Sequence, residues 1–258
     1  MVYFFTNFDV ENTLLGLFFM RISLIALKTT RHTDTQSILT AFSRERGRVS
    51  FAIPAGRGRE AARTRALTMP LGLVECETEI RPGREILPMR QARPIAVNAG
   101  IHANPLKQMV AMFVAEVLAL TLSVGVPDER VFDFVTEAAA RLENADERGT
   151  ANFPVCFLYR LGEILGVEPD ISTYNKGKLL DMRDGRWRTS APIHGECLSS
   201  SASEAAALLA RMTFDNMEAF RFRRGERAEI TDAILRYYSI HIAPLGSLKT
   251  LDILRSML

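Results

Sequence analysis

The hydrophobic period of this chain changes once, near residue 98, from two to 3.6, so the halves on either side must fold differently. Before that point Val49, Phe51 and Ile53 alternate with Arg48, Ser50 and Ala52, the pattern of a strand with one buried face. Beyond it Leu106, Met109, Val110, Phe113, Val117, Leu120 and Val124 recur at spacings of three and four, the pattern of an amphipathic helix. At 258 residues there is room for two domains. The expected class is α+β: a small β-barrel over residues 20–98, then an α-helical domain over residues 99–258.

In the first domain ISLIALKTT (22–30), QSILTAF (36–42) and Arg48–Ile53 read as three strands, with a turn at residues 44–47 and Phe51 facing inward. Residues 70–80 place Leu71 and Leu73 on one parity and Val74, Cys76, Thr78 and Ile80 on the other, which suggests a β-bulge. After a turn at residues 81–84, residues 85–92 offer a fifth strand that Pro88 consigns to an edge. Five strands with a short helix at residues 60–67 between the third and fourth match an OB-fold barrel. An SH3-like barrel is the alternative, though it usually lacks a helix there.

In the second domain Asn104 and Pro105 open a helix that Gly125 and Pro127 end, followed by helices at 128–143 and 150–165. Residues 167–200 lose the helical period, and Asp184-Gly185 marks a hairpin within this insertion. Helices resume with a capping box at Ser201 and Glu204, then at 226–242 and 247–258.

Charge separates the halves as well. Residues 20–93 hold 14 Arg or Lys against 7 Asp or Glu, whereas residues 94–258 are net −3. The excess sits in Arg44, Arg46 and Arg48, then Arg57, Arg59, Arg63 and Arg65, then Arg81 and Arg84. Guanidinium forks grip phosphate oxygens two at a time, so a stretch this rich in arginine points to a nucleic acid held mainly by its backbone. Phe42 and Phe51 are assigned to the core, which leaves few aromatics for base stacking. A second cluster, Arg221, Arg223, Arg224 and Arg227, fits two readings equally: a continuation of that surface, or a helix terminus salt-bridged to Glu218 and Glu226.

Several chemistries are excluded. Gly56-Arg57-Gly58-Arg59-Glu60-Ala61 imitates a dinucleotide fingerprint, with Glu75 and Glu77 about twenty residues on, but hairpin-linked alternating strands supply no βαβ unit. Cys76, Cys156 and Cys197 are far apart and His32, His102, His194 and His241 are scattered, so no metal, catalytic centre or cofactor is expected. Cysteine usage fits a reducing cytoplasm. In MVYFFTNFDVENTLLGLFF no Lys or Arg precedes the apolar run from Leu14 to Met20, which is far short of the ~20 residues that span a bilayer, so neither a signal peptide nor a membrane anchor is expected. The sequence restarts at Met20. Residues 1–19 are therefore expected to be a non-native or disordered extension that can be deleted.

The chain from Met20 to Leu258 resembles the bacterial RecO DNA-repair family. The resemblance is carried by SLIALKTTRHTDTQSILTAFSRERGRVSF, Pro70-Leu71 with the acidic strand after it, and Ala151-Asn152-Phe153. It continues in Phe220-Arg221-Phe222 with Glu226-Arg227, and in Tyr237-Tyr238 through Leu248-Lys249-Thr250-Leu251. It implies an OB-fold and a helical domain without catalytic residues, binding of single- and double-stranded DNA, and strand annealing. It also implies contact with RecR and with the acidic C-terminal tail of the single-stranded DNA-binding protein, loading of RecA at gaps, and a place in the cytoplasm with the nucleoid. Some members carry a four-cysteine zinc site in the insertion, where this chain has only Cys197, so zinc is not expected. An RNA-binding or ribosome-associated OB protein would show the same basic barrel and stays open as the alternative.

Overall fold

The computed structural model describes residues 18–245 and 248–257. Its described residues divide into two compact units: residues 18–96 with Val124–Pro127, and Val97–Ser123 with those from Asp128 onward.

The first unit is a six-stranded sheet in the order β5-β3-β2-β1-β4-β6. Its strands are β1 (Phe18–Arg31), β2 (Gln36–Ser43), β3 (Gly47–Pro54), β4 (Leu73–Ile80), β5 (Ile86–Pro88) and β6 (Arg90–Pro94), with helix α1 (Arg59–Leu67) between β3 and β4. Thr78 Oγ1 of β4 donates to the Pro88 carbonyl of β5 at 2.8 Å although three strands separate them in the order, so the sheet curls on itself in OB-like fashion. Ile22, Leu24, Leu39, Phe51, Val74 and Cys76 close its core. The expected inward Phe51 is fully buried.

Three details differ from expectation. One bulge lies in β1, whose register against β2 jumps between Ala26 and Lys28, and a second register shift falls within residues 70–80, between Glu75 and Glu77 where β4 pairs with β6. Strand β4 pairs with β1 without a break, so the parity switch at Leu73–Val74 marks the turn through Leu71 (φ +61°) that leads into it. The expected fifth strand is two: β5 runs parallel to β3, and β6 runs antiparallel to β4. Pro88 supplies no N–H to continue a ladder, and the chain changes partner directly after it. Strand β1 also starts before Met20, with Phe18 opposite Ile80 and Phe19 opposite Glu79, so the expected boundary of the extension falls inside a strand. Residues 1–17 lie outside the described residues.

The second unit is helical: α2 (Ala99–Ala103), α3 (Pro105–Thr121), α4 (Glu129–Asn144), α5 (Glu147–Ile164), α6 (Ser200–Leu209), α7 (Arg224–His241) and α8 (Leu251–Met257). Asn104 caps α3 by accepting from Leu106 N at 2.9 Å, ahead of Pro105 at its first position, as the sequence predicts. Helix α3 ends at Thr121, so Val124 is off its apolar face and exposed. Helix α5 starts three residues earlier than expected because Asp146 accepts from Gly149 N at 2.6 Å. Helix α6 is capped by Ser199, which accepts from Ala202 N at 3.2 Å, and not by Ser201. Strands β7 (Leu179–Asp181) and β8 (Arg186–Arg188) form the predicted hairpin, with Gly185 at φ +66°. The last helix was expected from Ser247, which lies outside the described residues; what is described begins at Leu251. Among the described residues no helix is long and apolar enough to cross a membrane.

Candidate nucleic-acid interface

The predicted arginines fall on three stretches of the first unit. At the β2–β3 turn Ser43 Oγ accepts from Arg46 N at 2.9 Å and Glu45 folds back to accept from Ser23 N at 3.0 Å, which pins the turn and leaves Arg46 exposed. Arg44 and Arg48 are half-buried beside it. At the other end of β3, Arg57 and Arg59 are exposed on the loop into α1, and Arg65 Nη2 ties that loop back through the Gly56 carbonyl at 3.4 Å. Seven residue steps of β3 separate the two ends, roughly 23 Å at the rise of an extended strand.

On the third stretch the guanidiniums converge on one carboxylate. Arg81, Arg84 at 4.0 Å and Arg90 at 3.6 Å all reach Glu79, whose side chain is 6% exposed. The predicted pair Arg81 and Arg84 is thus partly occupied within the protein, and three positive charges around one negative leave an excess of two. Arg63 lines a polar cleft of about 370 Å³ between α1 and β6, with Glu60, Gln91 and Arg93. Its Nη2 donates to the Ala92 carbonyl at 3.3 Å.

Arg90 and Arg93 were not among the predicted residues. The signal was present in Arg90-Gln91-Ala92-Arg93, but reading residues 85–92 as one strand hid it. Phe19 was also missed. It is 56% exposed on β1, two residues from Arg21 and directly opposite Glu79, so an aromatic face adjoins the arginine cluster. Phe42 and Phe51 lie in the core as expected.

The second basic cluster resolves by residue. Arg224 donates through Nε and Nη2 to the Arg255 carbonyl at 2.9 and 2.6 Å, and Arg227 Nη1 donates to the Phe222 carbonyl at 2.6 Å. Burial, with Arg224 close by, holds the Arg227 guanidinium below its ordinary value. Glu226 accepts from the Arg223 backbone N–H at 2.6 Å, as a helix-start carboxylate. Arg221 and Arg223 are exposed. Among the described residues no group of three His, Cys, Asp or Glu side chains could hold a metal. The dinucleotide-like glycines lead from β3 into α1, and β3 and β4 are not neighbours in the sheet, so they form no βαβ unit among the described residues.

The stretches that carry the resemblance prove to be structural joints. Thr33 Oγ1 accepts from Gln36 N at 3.0 Å in the β1–β2 hairpin. Asn152 Nδ2 donates to the Met217 and Phe220 carbonyls, both at 2.9 Å. The Glu116 carboxylate accepts from Lys249 N and Thr250 N at 3.0 Å and from Thr250 Oγ1 at 2.7 Å, which fixes the entry to α8.

An OB-like sheet bearing exposed arginines, followed by a helical unit, defines a class of two-unit architecture in which one part presents charge and the other presents packed helices. Residues 19–98 match the family described as Recombination protein O N terminal, and residues 102–251 match Recombination protein O C terminal. The chain belongs to the RecO family. It is 36% identical over 237 residues to the DNA repair protein RecO of Porphyromonas gingivalis W83, covering 90% of this chain and 96% of that one. It is 30% identical over 233 residues to the protein of the same name from Phocaeicola vulgatus, again over 90% and 96%. At 22% over 240 residues, that of Flavobacterium psychrophilum still spans 92% of this chain and 98% of its own.

Proposed function

We propose that this protein acts in DNA repair and recombination, holding DNA by its phosphates on the arginine surface of the curled sheet. One observation carries the reading: exposed arginines cluster at both ends of β3, on α1, and around Glu79 at the end of β4. Their roughly 23 Å separation along β3 corresponds to about seven phosphates of one duplex strand at 3.4 Å each. A ligand engaging both ends is therefore a polymer. The candidate contacts are Arg46, Arg48, Arg57, Arg59, Arg63 and Arg65, with Arg81, Arg84 and Arg90 acting through their shared charge excess. Both single- and double-stranded DNA fit such backbone-directed contacts, and strand annealing follows from neutralising two strands on one surface. The protein acts without catalysis of its own. The relatives named for DNA repair favour this reading over RNA binding.

The finer reading places partners on the helical unit. RecR is one, and loading of RecA at gaps is the outcome the family resemblance implies. The acidic tail of the single-stranded DNA-binding protein is the other, and exposed Arg221 and Arg223 offer it positive charge at the start of α7. The setting is the cytoplasm, with the nucleoid.

Titrating labelled single-stranded DNA with the full chain at several salt concentrations tests the core claim. Each of Arg46→Ala, Arg57→Ala and Arg59→Ala should weaken binding similarly for unrelated sequences and lower the salt slope by about 0.7. A quadruple variant that also carries Arg48→Ala and keeps wild-type affinity and slope would overturn it. RNA outcompeting DNA of the same sequence would revive the rival reading.

A further inference from the structure

The helical unit holds a cavity that its DNA chemistry does not use. About 250 Å³ of space lies between α5, α6, α7 and the β7–β8 hairpin, walled by Leu158, Leu180, Leu209, Phe222, Ile230 and Tyr238, among others. Its origin is in the sequence. Helix α6 turns Ala202, Ala205 and Ala206 toward it, side chains too short to fill the space against α7. A cavity of about 150 Å³ already accepts a benzene-sized group, so this one takes a Leu or Phe side chain with room beside it.

The ionisable groups at its edge are of one sign. Glu168, Glu226 and Glu229 line it, and no Lys, Arg or His does. All three are exposed. Glu226 is engaged by a backbone N–H, and among the described residues neither Glu168 nor Glu229 meets a basic side chain. Arg221 and Arg223 flank Phe222 in sequence but are not part of the wall. The field of Glu168 reaches the phenols inside: burial first, and then Glu168, pushes Tyr237 up to about 12. The wall positions on α7 run from Glu226 to Tyr238, about 18 Å of helix at 1.5 Å per residue, which suits an elongated segment better than a compact small molecule.

We infer that this groove docks a protein segment that presents a bulky apolar side chain beside lysine or arginine. The apolar group fills the space over Ala205 and Ala206, and the cation sits between Glu168 and Glu229, where two uncompensated carboxylates favour it. An acidic tail is repelled here, which separates this site from the one proposed at Arg221 and Arg223.

Fluorescence anisotropy on the full chain, with a labelled 14-residue amphipathic helical peptide of leucine and lysine and its glutamate counterpart, decides the matter. The lysine peptide should bind at least about tenfold more tightly, by charge complementarity at the rim. The exposed double variant Glu168→Lys/Glu229→Lys should reverse that preference, and Ala205→Phe should abolish binding of the lysine peptide by filling the space. Equal affinity for both peptides, or a preference that survives the charge reversal, would overturn the inference. Single-stranded DNA binding, measured on the same variants, should not change, so failure of this proposal and failure of the DNA reading are told apart.

Discussion

The Arg90 guanidinium lies 3.6 Å from the carboxylate of Glu79, a side chain that is nearly buried although its strand neighbours Thr78 and Ile80 take the core-facing parity. Arg81 and Arg84 meet the same carboxylate from the following loop. This predicts an effect of Glu79→Gln opposite to simple charge counting. Removing one negative charge alone would tighten DNA binding. If Glu79 positions the three guanidiniums, affinity instead falls about threefold to tenfold and the salt slope drops by about 0.7, one contact's worth. Salt titrations of single-stranded DNA binding distinguish the two, with the thermal midpoint recorded to show that the variant is folded. Tighter binding would end the positioning role.

Gly47 and Val126 make a second prediction. Gly47 sits at φ +64°, and a Cβ built there would lie 2.1 Å from the Val126 carbonyl oxygen. Gly47→Ala should therefore cost more than the roughly 1–2 kcal/mol of a left-handed alanine alone, because the Val124–Pro127 segment must also move. Gly83 has a similar φ of +76° with nothing near its missing Cβ, so Gly83→Ala should cost only the conformational share. Urea unfolding of both variants measures the difference, and equal losses would refute the packing argument.

How much of this was legible depends on the range of the interaction involved. The change of period near residue 98, the Asn104 cap, the Asp184-Gly185 hairpin and the inward Phe51 are all local patterns, and the structure keeps them. The parity switch at Leu73–Val74 did not say which ladder breaks, because both a bulge and a turn switch parity: pairing with β1 is continuous there, and the register of β4 shifts against β6 between Glu75 and Glu77. The arginine surface was readable as charge, but not its organisation. Glu79 stands in the sequence as one of three alternating acidic residues, and nothing local reveals that Arg81, Arg84 and Arg90 fold over it while Glu75 stays near Arg21. Phe19 was hidden by the methionine that follows it, which drew the domain boundary two residues into β1.

The cysteines give a prediction about reactivity. Burial pushes the thiols of Cys76 and Cys156 up to about 12, whereas Cys197 is half-buried beside the hairpin. A raised value keeps the neutral thiol through ordinary pH, and the thiolate is the nucleophile. At pH 8 the native protein should react with an aromatic disulfide reagent at Cys197 and release two further thiols only on unfolding. Rapid modification of all three in the folded chain would contradict the buried placement.

The last prediction concerns Asn152, fully buried in α5, whose side-chain amide donates to both the Met217 and Phe220 carbonyls. These bonds hold the turn that leads into Arg221 and Arg223, so the residue joins the helical core to the basic cluster. Asn152→Ala takes the amide donor from both carbonyls; the Met217 carbonyl still accepts from Phe220 N at 3.3 Å, so the Phe220 carbonyl is the one left unmet and the loss should be about 1–3 kcal/mol. Asn152→Asp should be worse at neutral pH, since a buried carboxylate would then face two carbonyl oxygens. Burial and those oxygens raise the folded pKa of the new acid above its unfolded value of about 3.9. The charged form is therefore the one penalised: the extra loss is small below pH 4, grows as the pH rises through the folded value, and is full above it. Urea unfolding at pH 5 and pH 8 tests this. A stability deficit for Asn152→Asp that does not widen with pH would show that the amide's two bonds do not hold this turn.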